Sequence, residues 1–239
     1  MRPRTLTELA NNPDLISGVY NYCDRWCERC PLTSRCLVYA TEQEDNDSPR
    51  NRDIRNEAFW RKLTAIFQET RELIVVWAAE AGVDLNRTSE DDDSRAKRKR
   101  QLVDNHPLTK AGKKYANAVS DWFREFDQTM ELCELEDARE VIQWYQYQIA
   151  VKTMRALSGR KEELEEDLEI TDFPKDSDGS AKVALIGIDR SIAAWRMMQL
   201  SLPDRVESIV PLILQLERLR LRIEKSFPQA RDFIRPGFD

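Results

Sequence analysis

Glycine is scarce in this sequence, with only 7 among 239 residues, whereas an average chain of this length has about 17. A fold rich in strands needs glycine in many tight turns, so the low content disfavours β-sandwiches and barrels. The leucine, alanine, glutamate, lysine and arginine that dominate the chain favour helices joined by a few loops. We therefore predict an all-α protein.

Long apolar runs are missing as well. No segment approaches the roughly 20 consecutive apolar residues that span a bilayer, and the start of the chain lacks the apolar core of a signal peptide. The formal net charge of −6 disfavours nucleic acid as the main partner. We therefore expect a cytoplasmic protein without a membrane contact, whose partner is another protein or a small molecule.

Histidine is nearly absent, since His106 is the single one. A ferritin-like di-iron site needs Glu-x-x-His on two helices, which one histidine cannot supply. A catalytic triad could use His106 only inside a pocket, but the residue precedes Pro107 in a charged stretch, which favours a surface position. No glycine-rich phosphate-binding loop is present. Several common kinds of enzyme site are therefore disfavoured.

Cysteine is concentrated in one short segment. Four of the five cysteines form a C-x3-C-x2-C-x5-C pattern, made by Cys23, Cys27, Cys30 and Cys36. A reducing cytoplasm disfavours disulfides, so closely spaced cysteines there are typical of metal ligands. We predict that these four cysteines bind a metal centre. The fifth, Cys133, is predicted to be a packed core thiol.

The first three of these cysteines are predicted to lie on a helix. Apolar side chains recur at helical spacing through residues 12–30, and Pro31 disfavours continuing the helix beyond them. Positions i, i+4 and i+7 share one face of a helix, so these three thiols would form a column. A chain reversal after Pro31 could then bring Cys36 back as the fourth ligand.

This predicted helix bears on the choice of metal. A tetrahedral zinc ion needs its sulfurs within about 3.8 Å of one another. On an intact helix Cys23 and Cys30 would differ by roughly 10 Å along the axis. An iron–sulfur cluster holds its ligands on more widely separated corners, so the spacing favours a [4Fe–4S] cluster, with zinc as the alternative.

The segment CERCPLTSRC has the form C-x2-C-P-x4-C. It resembles the cysteine segment of [4Fe–4S] clusters in RecB-type nucleases and in SPASM domains. The resemblance covers ten residues and implies a ligand role for Cys27, Cys30 and Cys36. The nuclease family's catalytic Asp and Glu-x-Lys residues are not recognisable, so nuclease activity is not implied. The C-x3-C-x2-C spacing also matches radical SAM enzymes, but their glycine-rich motif and α/β-barrel pattern are missing.

The rest of the chain is predicted to be a bundle. Residues 1–50 would form the metal-binding segment, as a helix and a turn, and residues 51–239 a domain of about five long helices. A polar linker is expected at 41–53 and a charged loop at 86–105. The predicted helices cover about 56–82, 109–126, 136–157, 180–200 and 204–226. In the first of them, apolar residues are expected to face inward, namely Phe59, Leu63, Ile66, Phe67, Leu73, Ile74 and Trp77.

Two of these helices carry ionisable side chains beside apolar ones. Such groups are costly on a buried face unless they are paired. One interpretation is a polar pocket in the bundle, lined by Glu140, Tyr145, Gln148, Lys152, Lys182, Asp189 and Arg190. A structural ion-pair network, or ordinary charges at helix edges, would explain the same residues.

Three functions follow from this sequence. The first is a redox or redox-sensing protein that carries a [4Fe–4S] cluster, although the cluster could also only stabilise the fold. The second is a zinc-stabilised module for protein interaction. The third is an enzyme that uses the polar pocket of the bundle.

Overall fold

The protein is all-α, as predicted. The computed structural model describes residues 8–9, 11–44, 55–82, 84–85, 90–126, 135–165 and 176–239, and these contain helices and turns but no strand. Seven α-helices lie in this part of the chain: α1 Leu37–Glu44, α2 Glu57–Glu80, α3 Glu90–Asn105, α4 Pro107–Phe126, α5 Glu136–Glu165, α6 Asp176–Ser201 and α7 Val206–Ser226.

The chain divides into two compact units. The first comprises Met1–Tyr20 and Cys27–Lys97, and the second comprises Asn21–Trp26 and Arg98–Asp239. The predicted boundary near residue 50 lies outside the described residues and stays a prediction. The short segment Asn21–Trp26 therefore belongs to the second unit, although the chain on both sides of it belongs to the first.

The predicted helix over residues 12–30 is wrong. These residues form turns and bends, and only Cys27–Arg29 is a 3-10 helix. The backbone is left-handed at Gly18, with φ 73°, and at Arg25, with φ 59°. A right-handed helix cannot continue through either position, since left-handed φ is incompatible with its hydrogen bonding. The apolar side chains do recur at helical spacing, but this spacing does not by itself make the backbone helical.

Helix α2 has the predicted limits, but its burial differs from the prediction. It ends at Glu80, and Gly82 follows with φ 67°, which is the conformation typical of a glycine after a helix. The apolar residues expected to face inward are exposed or half-buried, and the exposed fraction of Trp77 is 60%. The prediction of an inward face is therefore wrong, because helical spacing creates an apolar face without saying whether it is covered.

The predicted charged loop over residues 86–105 is also wrong from Glu90 onwards. Glu90–Asn105 is the helix α3, and RAKRKR (Arg95–Arg100) lies inside it. The segment contains no glycine or proline, and four acidic residues at its start precede its basic ones, which only Asp104 follows. Negative charge at the start of a helix complements the positive end of the helix dipole, so the acidic start of this segment supports a helix.

The second unit contains a four-helix bundle. Helix α4 packs on α5 and α7, and α6 packs on the same two helices, so the four helices close around one core. The most extensive packing is between α5 and α6. The prediction of long helices in this part of the chain is confirmed, and Pro211 lies inside α7.

Aromatic residues form the centre of this bundle. Trp195 of α6 is fully buried, and its ring lies edge-on to Trp122 with a centroid distance of 5.1 Å. Its indole Nε1 donates to the Tyr115 hydroxyl at 2.9 Å, so the polar edge of the ring is satisfied. Burial raises the pKa of Tyr115 and keeps its hydroxyl protonated. The core therefore has a specific polar contact as well as apolar packing.

Two predictions fall on residues that the structure does not describe. These are Cys133 as a core thiol and most of the linker at 41–53, although residues 41–44 of that linker belong to α1. A membrane-spanning helix is also not found: within the described residues, none of the helices combines the length and the apolarity that crossing a bilayer requires.

Candidate metal centre

Three of the four clustered cysteines lie on two successive tight turns in the first unit. Cys27 begins the 3-10 helix Cys27–Arg29, and the N–H of Cys30 donates to the carbonyl of Cys27 at 3.2 Å. After Pro31 a second 3-10 helix, Thr33–Arg35, leads to Cys36, which has extended backbone and precedes α1. The chain between Cys30 and Cys36 therefore contains one 3-10 turn, and the return of Cys36 to the other cysteines stays a prediction.

The sulfur of Cys30 accepts a hydrogen bond. The N–H of Leu32 lies 3.4 Å from Cys30 Sγ. Hydrogen bonds to sulfur ligands tune the potential of a cluster. Pro31 has no N–H of its own, so Leu32 supplies the first backbone donor after the cysteine.

The fourth cysteine, Cys23, lies on the segment Asn21–Trp26 of the second unit. The Asp24 carboxylate accepts from the N–H of Trp26 at 3.2 Å, which closes a local turn around the left-handed Arg25. This side chain-to-backbone bond replaces a helical hydrogen bond. The local sequence therefore favours a turn at Cys23.

Asp24 anchors this segment to the bundle. Its carboxylate Oδ2 accepts from the Tyr145 hydroxyl at 2.5 Å and from Arg190 Nη1 at 2.9 Å. Its backbone carbonyl accepts from Trp144 Nε1 at 3.0 Å and from the Gln148 side-chain amide. Charge-assisted and indole donors thus converge on one residue from α5 and α6.

Aromatic packing reinforces the anchor. The ring of Trp26 stacks on Trp144, with a centroid distance of 5.0 Å and an interplanar angle of 17°. Tyr22 lies edge-on to Phe233 at 4.7 Å. The rings of Tyr22 and Phe233 also occupy the space above Gly179, where a Cβ would lie within 2.6 Å of both. The glycine therefore makes room for the segment.

The electrostatic surroundings of Cys23 are mixed. Burial raises the pKa of its thiol, while the positive charges of Lys152 and Arg25 act in the opposite direction. Lys152 is itself 9% exposed, and burial lowers the pKa of its ammonium group. Its Nζ lies 3.5 Å from the carbonyl of Asn21. A cation beside a half-buried thiol favours the thiolate that a metal requires.

The residues of the predicted polar pocket fall into separate groups. Tyr145, Gln148, Lys152 and Arg190 come together, and they contact the segment Asn21–Trp26 of the same chain. Burial and the hydrogen bond with Asp24 raise the pKa of Tyr145, so it remains a donor. Glu140 is exposed on α5. This part of the predicted pocket is thus a docking surface for the cysteine segment.

Lys182 and Asp189 make other contacts. Lys182 Nζ pairs with the Asp239 carboxylate at 2.8 Å, and Arg235 lies beside the same carboxylate; their hydrogen bonds hold the pKa of Asp239 well below its usual range. Asp189 pairs with Arg220 and with Arg231, at 3.3 and 2.6 Å. Asp189 also borders an open groove of about 780 Å³. The charges on α6 therefore belong to structural ion pairs.

The donor set suits a metal centre chemically. Cys23, Cys27, Cys30 and Cys36 form no disulfide and each is half-buried. Thiolates are the preferred ligands of iron–sulfur clusters and of structural zinc. Among the described residues, however, no three histidine, cysteine or acidic side chains form a group that could hold a metal ion. The structure thus places the four cysteines on or beside turns, and their role as metal ligands stays a prediction.

The comparisons with known proteins add no family. No family model, no curated protein and no solved structure matches this chain. The interpretation of the site therefore depends on its own residues.

We expect replacement of Asp24 by alanine to lower the free energy of unfolding by about 1–2 kcal/mol. The change removes the acceptor of Tyr145 and Arg190. Because Arg190 is half exposed, water can replace its lost hydrogen bond, so the loss of stability is smaller than for a buried donor. Chemical denaturation followed by circular dichroism measures the effect. Glu28→Ala, at an exposed position on the same stretch of chain, serves as the control. Equal stability of the two variants would show that Asp24 is not an anchor.

Proposed function

We propose that Cys23, Cys27, Cys30 and Cys36 bind one metal centre, with a [4Fe–4S] cluster as its first candidate occupant. The observation that carries the proposal is four half-buried cysteines, none of them in a disulfide, within 14 residues of chain. Ordinary core cysteines are not clustered in this way. The resemblance of CERCPLTSRC to known cluster-binding segments supports iron over zinc.

The surroundings of Cys23 support the same proposal. The segment that carries it is held by the contacts of Asp24 to the bundle, so a bound centre would be attached to a rigid support. Because burial raises the pKa of the Cys23 thiol, the metal-free protein holds a proton there. Metal binding would release it, and affinity would therefore rise with pH.

The function that follows is redox or redox-sensing chemistry in the cytoplasm. A bound cluster would supply one-electron chemistry, and the chain's own residues would adjust its potential through the charge of Lys152 and the N–H···S bond at Cys30. Free thiols fit a reducing compartment.

Zinc remains the second candidate because of one structural observation. The turns at Cys27–Arg29 and Thr33–Arg35 replace the helix whose axial rise disfavoured zinc. Turns of this kind also suit the short cysteine knuckles of zinc sites. With zinc bound, the protein would be an interaction module stabilised by the metal.

Anaerobic purification followed by metal analysis and a visible spectrum separates the two candidates. We expect a brown protein that contains iron and sulfide and is bleached by dithionite. A colourless protein with one zinc per chain would defeat the redox function but keep the metal centre. A protein with neither metal, after growth with both and reconstitution under reducing conditions, would defeat the proposal as a whole.

A further inference from the structure

Helix α2 exposes a large apolar surface. Eight of its large apolar side chains are 39–64% exposed, and the values for Phe67 and Trp77 are 64% and 60%. Within its own unit, no other described helix packs along it. Monomeric proteins rarely expose contiguous apolar patches of this kind, and such patches typically mark an interface.

The apolar residues of α2 follow a heptad pattern that is the same in both directions. The positions are 59, 63, 66, 70, 73 and 77, of which all but Thr70 are apolar, and the steps alternate between four and three residues symmetrically about residue 68. When two such helices align antiparallel, Phe59 faces Trp77 of the second copy, and Leu63 faces Leu73. Every large residue at the ends of this row then meets another apolar residue.

The charges of α2 favour the same orientation. Residues 57–68 contain one acidic and two basic residues, whereas residues 69–80 contain three acidic and one basic. Antiparallel pairing places the net positive half of one helix beside the net negative half of the other, but parallel pairing places like halves together. A membrane surface is a poorer match, because helices that lie on membranes are rich in lysine and arginine.

We propose that α2 pairs antiparallel with α2 of a second copy of this chain. The 24 residues of the helix give a contact about 36 Å long. An antiparallel pair has two-fold symmetry, which closes the assembly at a dimer. This inference is independent of the metal centre.

Light scattering coupled to size exclusion tests the dimer. We expect the wild-type chain at tens of micromolar to have twice the monomer mass of 28.0 kDa. The double variant Phe67→Glu, Ile74→Glu should have the monomer mass with unchanged helix content. The control double variant Leu200→Glu, Leu221→Glu changes two exposed leucines of α6 and α7 and should remain a dimer. A monomeric wild-type protein, or a dimer that persists in the α2 variant, would overturn the proposal.

Photo-crosslinking tests the orientation. With p-benzoyl-phenylalanine in place of Phe59, illumination should join two chains, and after trypsin the adduct should contain the peptide of residues 72–87. In that peptide, Trp77 lies about 27 Å from residue 59 along the same helix and the nearest residue lies about 20 Å away, so a link within one chain cannot form through α2. An adduct with residues 56–61 would indicate parallel helices, and an adduct with any other protein or segment would identify a different occupant; either result would contradict the proposal.

Discussion

Replacement of Cys30 by serine is expected to remove nearly all bound metal from the purified protein. Cys30 is the third of the four grouped cysteines and lies between two tight turns. Its sulfur accepts a hydrogen bond from the N–H of Leu32. Serine keeps the size of the side chain but lacks the soft thiolate that iron and zinc prefer. We expect the metal content to fall to less than about a tenth of the wild-type value. Metal analysis and the visible spectrum measure the loss.

The control for this change is Cys133→Ser, because Cys133 is the only cysteine outside the cluster. This variant should keep the wild-type amount of metal. The bundle of both variants should stay helical, since its core residues belong to α4–α7. A Cys30→Ser variant that keeps its metal, or a Cys133→Ser variant that loses it, would show that the ligands have been assigned wrongly.

The largest expected effect on stability comes from Trp195→Ala. The ring is fully buried and contacts Trp122 and Phe123, and its Nε1 donates to the Tyr115 hydroxyl. Truncation removes these contacts, leaves a cavity and removes a partner of a buried hydroxyl. We expect the free energy of unfolding to fall by about 3–5 kcal/mol. Urea denaturation followed by circular dichroism measures the loss without relying on tryptophan fluorescence.

Met197→Ala is the matched control, since Met197 lies on the same helix and is 54% exposed. It should change stability by less than about 0.5 kcal/mol. Trp195→Phe keeps most of the ring and should be intermediate. Comparable losses for Trp195→Ala and Met197→Ala would mean that the core of the bundle is not centred on α6.

The sequence was sufficient to predict the helices of the second unit. Apolar residues recur at helical spacing in α4, and its Tyr115, Val119 and Trp122 are buried. The same reasoning failed for residues 12–30, because two left-handed residues interrupt the chain there. Gly18 is a residue type that permits such a backbone, but nothing in the type of Arg25 indicates it.

Burial was harder to predict than helix formation. Helices α2 and α4 both have apolar residues at helical spacing, but most of those in α2 are exposed whereas those in α4 are buried. The spacing of residues along a helix defines which side chains share a face, and the presence of a partner depends on the rest of the structure. A sequence alone therefore cannot distinguish a core helix from one that pairs with another molecule.

The polar contacts around the cysteines were only partly predictable. Tyr145, Gln148, Lys152 and Arg190 were selected as polar residues beside an apolar face, and they do come together. Asp24, the partner of Tyr145, Gln148 and Arg190, was missed because it lay within the predicted helix over residues 12–30. The available signal was the position of the Asp24 carboxylate between the aromatic residues Tyr22 and Trp26, which indicates a turn that packs on the rest of the protein.

Residues 12–30 do not form the predicted helix, and this affects which metal the spacing of the cysteines favours. Without an axial rise between Cys23 and Cys30, the spacing no longer disfavours zinc. The preference for a [4Fe–4S] cluster now depends on the ten-residue resemblance alone. The claim that the four cysteines share one centre does not depend on that preference.

X-ray absorption at the edge of the bound metal tests this central claim most directly. We predict a shell of sulfur neighbours at about 2.3 Å with no nitrogen or oxygen ligand from the protein. For zinc the shell should contain four sulfurs, and for a cluster the iron should also show iron neighbours. A first shell dominated by nitrogen or oxygen, or a zinc shell with only two sulfurs, would contradict a centre held by Cys23, Cys27, Cys30 and Cys36.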